Sequence, residues 1–80
     1  NNGSRVGLLL VGTVTRKFGE RGFGFIEAGD GKNYFFHITD IQAGLDFDDI
    51  QEGAVVEFEV KKQPSEDRAG AAQSVRLRAP

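Results

Sequence analysis

The chain has 80 residues, near the lower limit for a domain stabilised by one apolar core. It contains no cysteine, which excludes disulfides and a cysteine-based zinc site and favours a soluble protein of a reducing compartment, the cytoplasm. The net charge is −2, but residues 38–60 carry seven Asp/Glu and no Lys/Arg, whereas the segments on either side are mildly basic. So small a charge gives little attraction to polyanions, so a nucleic-acid partner would need other contacts as well.

The chain begins with a segment that does not look like part of a domain. Residues 1–11 are predicted to be a leader, a tag or an extension of the first strand, and residues 12–78 to be the domain. Gly3-Ser4 is typical of a cloning scar. The longest apolar run, Leu8–Val11, is far too short to cross a membrane, so no membrane partner is expected.

From Gly12 onward the pattern is one of short β-prone runs separated by turn residues. Asp30-Gly31, between two apolar runs, predicts a hairpin. One helical turn is expected near residues 40–43, inside the long connection 39–50. Five short strands without a convincing helix predict an all-β fold, a small five-stranded antiparallel β-barrel. The predicted strands are Thr13–Phe18, Phe23–Glu27, Asn33–Ile38, Ala54–Lys61 and Gln73–Arg78.

The aromatic residues of the second and third strands fall on two faces, because residues two apart in a strand share a face. Phe23 and Phe25 share one face, and Phe35 and His37 share one in the neighbouring strand. A phenylalanine in a strand is more often a core residue, but a barrel has only one interior. An outward aromatic patch on a monomer usually marks a binding surface, and we expect one here. The residues predicted to fill the interior are Ile26, Tyr34, Phe36, Val56 and Phe58.

The sequence gives only weak signals for a metal site, a phosphate-binding loop or a catalytic site. His37 is the only histidine, and no cysteine is present to complete a zinc site or a catalytic pair. Gly22 and Gly24 belong to no phosphate loop, because the Lys-Ser/Thr of such a loop is missing; we expect them to leave gaps where a ligand approaches the rings. The carboxylates of residues 46–49 are interpreted as a solvated acidic loop. We therefore predict no enzyme, no cofactor and no metal.

Two motifs resemble those of the cold-shock domain family. Arg21–Ile26 is similar to the family's basic-Gly-Phe-Gly-Phe-Ile motif, and Tyr34–Ile38 is similar to its Val-Phe-Val-His-Phe motif. Ile41 and the Glu-Gly turn at residues 52–53 also agree with the family pattern, which extends from Gly12 to Val75. The resemblance implies an OB-fold barrel that binds single-stranded RNA or DNA with low sequence specificity, as an RNA chaperone or a regulator of gene expression.

The resemblance also implies which residues bind. Aromatic rings of the two motifs would stack on bases, Arg21 would meet a phosphate or a base edge, and Phe47 would cap one end of the binding strip. Arg68 would correspond to a basic residue beside the last strand. With the first-strand residues discussed next, the predicted nucleic-acid-binding residues are Arg16, Lys17, Phe18, Arg21, Phe23, Phe25, Phe35, His37, Phe47 and Arg68.

The first strand departs from the family pattern. Thr15-Arg16-Lys17 stands where the family has Lys-Trp-Phe, so a principal stacking ring is missing. Arg16 could stack its guanidinium group on a base, both cations could hold phosphates, and Phe18 could replace the lost ring. Ile38 stands where the family has a second stacking Phe. We therefore expect weaker and more salt-dependent binding than a full aromatic strip provides.

A rival hypothesis is a protein-interaction module built on the same barrel. Its partner would bind Leu8–Leu10 or the acidic loop, and the loss of two family aromatics favours it. Under either hypothesis we expect a monomer.

Overall fold

The alternation of apolar and polar residues, interrupted by glycine-containing turns, divides the chain into five strands. The computed structural model describes residues 9–78. Two short 3-10 helices, Ile38–Asp40 and Phe47–Asp49, lie in the long connection between the third and fourth strands. The strands are β1 (Leu9–Phe18), β2 (Phe23–Ala28), β3 (Asn33–His37), β4 (Val55–Lys62) and β5 (Gly70–Leu77).

The five strands close into a barrel in the order β1-β2-β3-β5-β4, with β4 pairing back onto β1. The predicted all-β, five-stranded barrel is confirmed. Four of the pairs are antiparallel; β3 and β5 run parallel over Tyr34↔Gly70 and Phe35↔Ala71. Closure leaves no long strand edge among the described residues, which protects a small sheet from pairing with other chains.

Strand boundaries differ from the sequence-based expectation by more than one residue at two places. β1 begins at Leu9, and Leu9–Val11 pair with β4, so these residues extend the first strand. Gly3-Ser4 and Leu8 lie outside the described residues. β5 begins at Gly70 rather than at residue 73, because Gly70 and Ala71 pair with Tyr34 and Phe35 of β3. Only glycine fits at residue 70, since a Cβ there would lie 2.6 Å from the Lys62 carbonyl oxygen.

The barrel interior contains the predicted core. All five residues expected inside are buried, and Tyr34 packs its ring against Phe58 with centroids 5.1 Å apart. Burial raises the pKa of the Tyr34 phenol, and the Asp30 carboxylate raises it further. Phe47 and Ile50, from the long connection, complete the core. The buried residues are Val14, Ile26, Ala28, Tyr34, Phe36, Phe47, Ile50, Val56, Phe58, Ala72 and Val75.

The hairpin between β2 and β3 forms where Asp30-Gly31 predicted it. The Ala28 N–H donates to the Lys32 carbonyl oxygen at 2.9 Å, and Gly31 adopts a φ of 84°, a conformation natural to glycine. This tight turn sets the β2–β3 register and so decides which aromatic residues are neighbours. Within the described part of the chain, no helix is long and apolar enough to span a membrane.

Candidate nucleic-acid interface

Six outward-facing side chains form two rows across β1, β2 and β3. The first row is Phe18–Phe23–His37 and the second is Arg16–Phe25–Phe35, each row following the cross-strand pairing. Neighbouring strands lie about 4.8 Å apart and residues two apart along a strand about 7 Å apart, so the six side chains share one continuous surface. We call this set of six side chains the aromatic face.

A bulge in β1 determines which of its residues reach the aromatic face. Val14 pairs with Ile26 and Arg16 pairs with Phe25, so Thr15 is the extra residue. One extra residue reverses the alternation of sides. Without the extra residue, Arg16 would point into the barrel, as Val14 does. With the extra residue, Arg16 and Phe18 both point outward.

The four phenylalanine rings of the aromatic face pack against one another. The Phe18–Phe23 and Phe23–Phe35 ring pairs are tilted, with centroids 4.9 and 5.5 Å apart. Phe25 meets Phe18, Phe23 and Phe35 edge to face at 6.4, 6.1 and 5.7 Å. Aromatic pairs favour such tilted and edge-to-face arrangements. All four rings remain only partly buried, so the cluster presents aromatic surface outside the core.

Phe18 adds a ring from β1 to the aromatic face. The sequence suggested it as a substitute ring, and the structure brings it against Phe23. Ile38, at the position of the family's second missing aromatic, is 47% exposed and lies beside Gly22. The surface therefore ends in an aliphatic rather than an aromatic side chain at this corner.

His37 is oriented by the 3-10 helix that follows it. The Thr39 backbone N–H donates to His37 Nδ1 at 3.2 Å, and Thr39 Oγ1 lies 3.0 Å from the same nitrogen. Because a backbone N–H can only donate, Nδ1 accepts, and the hydrogen of the neutral ring is on Nε2. The Asp40 carboxylate accepts from the His37 backbone N–H at 2.9 Å and pairs with Lys61 at 3.2 Å. These contacts leave the Nε2–H as the ring's free donor among the described residues.

The two glycines of the first motif do not leave gaps beside the rings, and that expectation is wrong. Gly24 points inward: a Cβ there would lie 2.9 Å from the Phe36 ring and 2.8 Å from the Arg16 carbonyl oxygen. Gly22 adopts a φ of 74° in the turn between β1 and β2. The core and the turn, rather than ligand access, require glycine at these positions.

Two cations lie at the border of the aromatic face. The Arg16 Cζ lies 5.2 Å from the centroid of the Phe18 ring, a cation–π contact. Arg21 is exposed in the turn that joins Phe18 to Phe23. Neither side chain makes a hydrogen bond or ion pair with any residue of the range 9–78, so both can meet a ligand.

Lys17 and Phe47 were expected at the interface, and the structure places both elsewhere. Lys17 pairs with Gly24 and so points to the inner side of β1; its Nζ lies 4.7 Å from the centroid of the Phe47 ring. The Lys17 backbone N–H donates to Glu52 at 2.9 Å. Phe47 is only 7% exposed and packs against Phe36. The bulge turns Lys17 inward, and the long connection folds Phe47 into the core, so neither is part of the aromatic face.

Arg68 lies in the loop before β5, near the start of β3. With the rest of the loop 64–69 it lines a depression whose other wall is Lys32 and Asn33. The Ser65 N–H donates to the Arg68 carbonyl oxygen at 3.0 Å, which makes this loop a tight turn. Arg68 is exposed, but the structure does not bring it into the two rows.

Hydrogen bonds between side chains and backbone within the acidic loop hold its conformation. Asp49 caps the second 3-10 helix by accepting from the Asp46 N–H at 3.4 Å, just as Asp40 caps the first one. The described residues contain no group of three or more His, Cys, Asp or Glu that could hold a metal ion.

Of the apolar run expected to bind a protein, Leu9 is 48% exposed, whereas Leu10 packs against the core.

Comparison with known proteins agrees with this geometry. The family model described as 'Cold-shock' DNA-binding domain matches residues 10–77. The chain is 40% identical to "Probable cold shock protein A" of Mycolicibacterium smegmatis over 65 residues, which cover 80% of this chain and 96% of that protein. It is 48% identical to "Cold shock-like protein CspD" of Bacillus cereus over 52 residues, 65% of this chain and 77% of that protein.

The closed five-stranded barrel and the matched family model define a small nucleic-acid-binding β-barrel. The chain belongs to the cold-shock domain family, as its two motifs predicted.

Proposed function

We propose that this chain binds single-stranded RNA or DNA with low sequence specificity by stacking bases on the aromatic face. One observation carries the proposal. Four phenylalanine rings lie in mutual contact on the outer surface, although a different set of residues already fills the barrel interior. Exposing apolar rings to water outside a complete core costs free energy unless a ligand covers them.

The two rows suggest how a strand would lie. Bases that leave the strand's own stack can each lie on a ring, and every base offers a π face, so stacking tolerates any sequence. Each stacking contact contributes about 1–3 kcal/mol by alanine substitution. A duplex hides the faces of its bases, so unpaired strands are the ligands that fit. The His37 Nε2–H, at the end of the first row, would donate to a base carbonyl or a phosphate.

The charges at the face predict modest salt dependence. Arg21 and, on strands without a guanine at its site, Arg16 would neutralise phosphates, which gives log K a slope of about −1.4 against log salt for an oligothymidine or oligouridine strand. With the tryptophan missing, these cations contribute a larger share of the affinity than they would beside a full aromatic strip.

Holding strands unpaired has a consequence for nucleic-acid structure. A protein that binds only the unpaired state shifts each hairpin equilibrium toward that state by mass action, without ATP. We therefore propose that the chain acts as an RNA chaperone or a regulator of gene expression.

The experiment that tests the function is a fluorescence-anisotropy titration with short oligothymidine and oligouridine at about 50 and about 200 mM salt. We expect binding of both, weakened at the higher salt. Absence of binding at low salt would refute the proposal and favour the protein-interaction hypothesis.

One observation supports that second candidate. Leu9 and Val55, 48% and 47% exposed, lie on the outer side of the β1–β4 pair, away from the aromatic face. Glu59 is the cross-strand partner of Leu9, and Glu57 lies between Glu59 and Val55 along β4. A protein partner of this surface would bind whether or not the aromatic face is mutated.

A further inference from the structure

We propose that Arg16 makes the base site at Phe25 prefer guanine, which gives an otherwise sequence-tolerant surface one discriminating position. The inference rests on the proposed function, because it needs a base stacked at the aromatic face.

The position of Arg16 is the first part of the argument. Arg16 is the direct cross-strand partner of Phe25, and the Cβ atoms of such partners lie about 4.5–5.5 Å apart. Its guanidinium group lies over Phe18, in contact with the first row. A base stacked on Phe25 therefore has one edge next to the guanidinium group.

The second part is that the donors of Arg16 are unused. Elsewhere in the range 9–78, Arg76 and Arg78 pair with Glu57 at 3.3 and 4.0 Å. Arg16 makes no hydrogen bond or ion pair within the same range. The Phe18 ring restrains its guanidinium group without occupying any N–H, which reduces the entropy lost on binding.

The third part is the chemistry of the base edges. An arginine presents two parallel N–H donors, and guanine presents two adjacent acceptors, O6 and N7, on one edge. Adenine presents N7 beside a donor, and thymine and uracil present a single O4 on that edge. A phosphate also accepts two N–H donors, but a phosphate contact would be indifferent to the base.

The test uses oligothymidine strands that carry a single dG or a single dC at each position in turn, and matched strands with 7-deaza-dG, which keeps the purine ring but lacks N7. Affinities are measured by anisotropy for the wild type and for Arg16→Lys, which keeps the charge without the two-pronged donor. The matched control is Arg78→Lys, because Arg78 follows β5, outside the aromatic face. Circular dichroism verifies that each variant is folded.

We expect the strand with dG at one position to bind about fivefold more tightly than the strand with dT there. This is the lower limit of the discrimination by a bidentate pair, and we expect the lower limit because the site is exposed. The 7-deaza substitution and Arg16→Lys should each remove most of that gain, and Arg78→Lys should preserve it.

Three results would overturn the inference: equal binding of dG and 7-deaza-dG, an Arg16→Lys loss that is the same for every strand, or a preference for dC. Each of these leaves the proposed function standing, because oligothymidine still binds. Failure of the wild type to bind any strand would refute the function and this inference together.

Discussion

Replacement of Phe25 by alanine is the most informative perturbation of the aromatic face. Phe25 lies at the centre of the second row and meets three other rings at 5.7–6.4 Å. Its loss removes one stacking contact of about 1–3 kcal/mol, which corresponds to about a 5- to 140-fold weaker affinity. It also frees the neighbouring rings to turn, so we expect the upper half of that range. Phe18→Ala, which removes a ring at the rim, should fall in the lower half.

The same substitution should affect folding much less than binding. Phe25 points outward, so its removal opens no cavity in the core, and the loss is restricted to contacts between partly exposed rings. Val55→Ala is the matched control, because Val55 is an exposed apolar residue on the outer side of the β1–β4 pair. It should leave the affinity unchanged.

The assay is an anisotropy titration with a short oligothymidine at two salt concentrations, far below the melting temperature of each variant. Phe25→Ala removes no charge, so the slope of log K against log salt should stay that of the wild type. Unchanged affinity in a folded Phe25→Ala/Phe35→Ala double variant would refute the stacking model. A lower salt slope for Phe25→Ala would show that phosphate contacts, rather than stacking, had been lost.

Three further predictions concern the barrel around the face. Gly24→Ala should lower the free energy of unfolding by about 1–3 kcal/mol, because the new Cβ would lie 2.9 Å from the Phe36 ring; an unchanged denaturation midpoint would contradict this. Lys17→Met removes the cation–π contact with Phe47 and should lower the free energy of unfolding by about 0.5–1 kcal/mol. The slope of log K against log salt should stay that of the wild type, and a smaller slope would place Lys17 at a phosphate. Burial raises the pKa of Tyr34 above 10.0, so the Tyr34 phenol loses its proton in the unfolded state at a lower pH than in the folded state. The free energy of unfolding should therefore be constant below pH 10.0 and fall as the pH rises beyond it. Urea titrations should show a smaller fall in this pH range for Tyr34→Phe than for the wild type.

Much of the fold followed from local pattern. The alternation in the second and third strands separated Phe23, Phe25 and Phe35 from the inward Tyr34 and Phe36, and the structure has the same two faces. The side-chain period of a strand is two residues whatever its surroundings, so this prediction needed no tertiary information. The hairpin at residues 30–31 was equally local, because glycine readily adopts the positive φ that the turn requires.

The first strand and the long connection were predicted less well. Nothing in Thr15-Arg16-Lys17 marks an extra residue, since a bulge is defined by the partner strand it opposes. That one residue decides that Arg16 reaches the aromatic face and Lys17 does not. Phe47 likewise was expected to cap one end of the binding strip, because its burial depends on how the connection folds over one end of the barrel, which the local sequence does not show.

For this chain, the sequence by itself determined the family, the barrel and the rings of β2 and β3 that face outward. These depend on motif spacing and on a two-residue alternation, which are properties of neighbouring residues. Only the tertiary structure decided that Arg16 and Phe18, but not Lys17, share that surface and that Phe47 belongs to the core. Those outcomes depend on strand register and on the docking of a loop, which are set by residues distant in the chain.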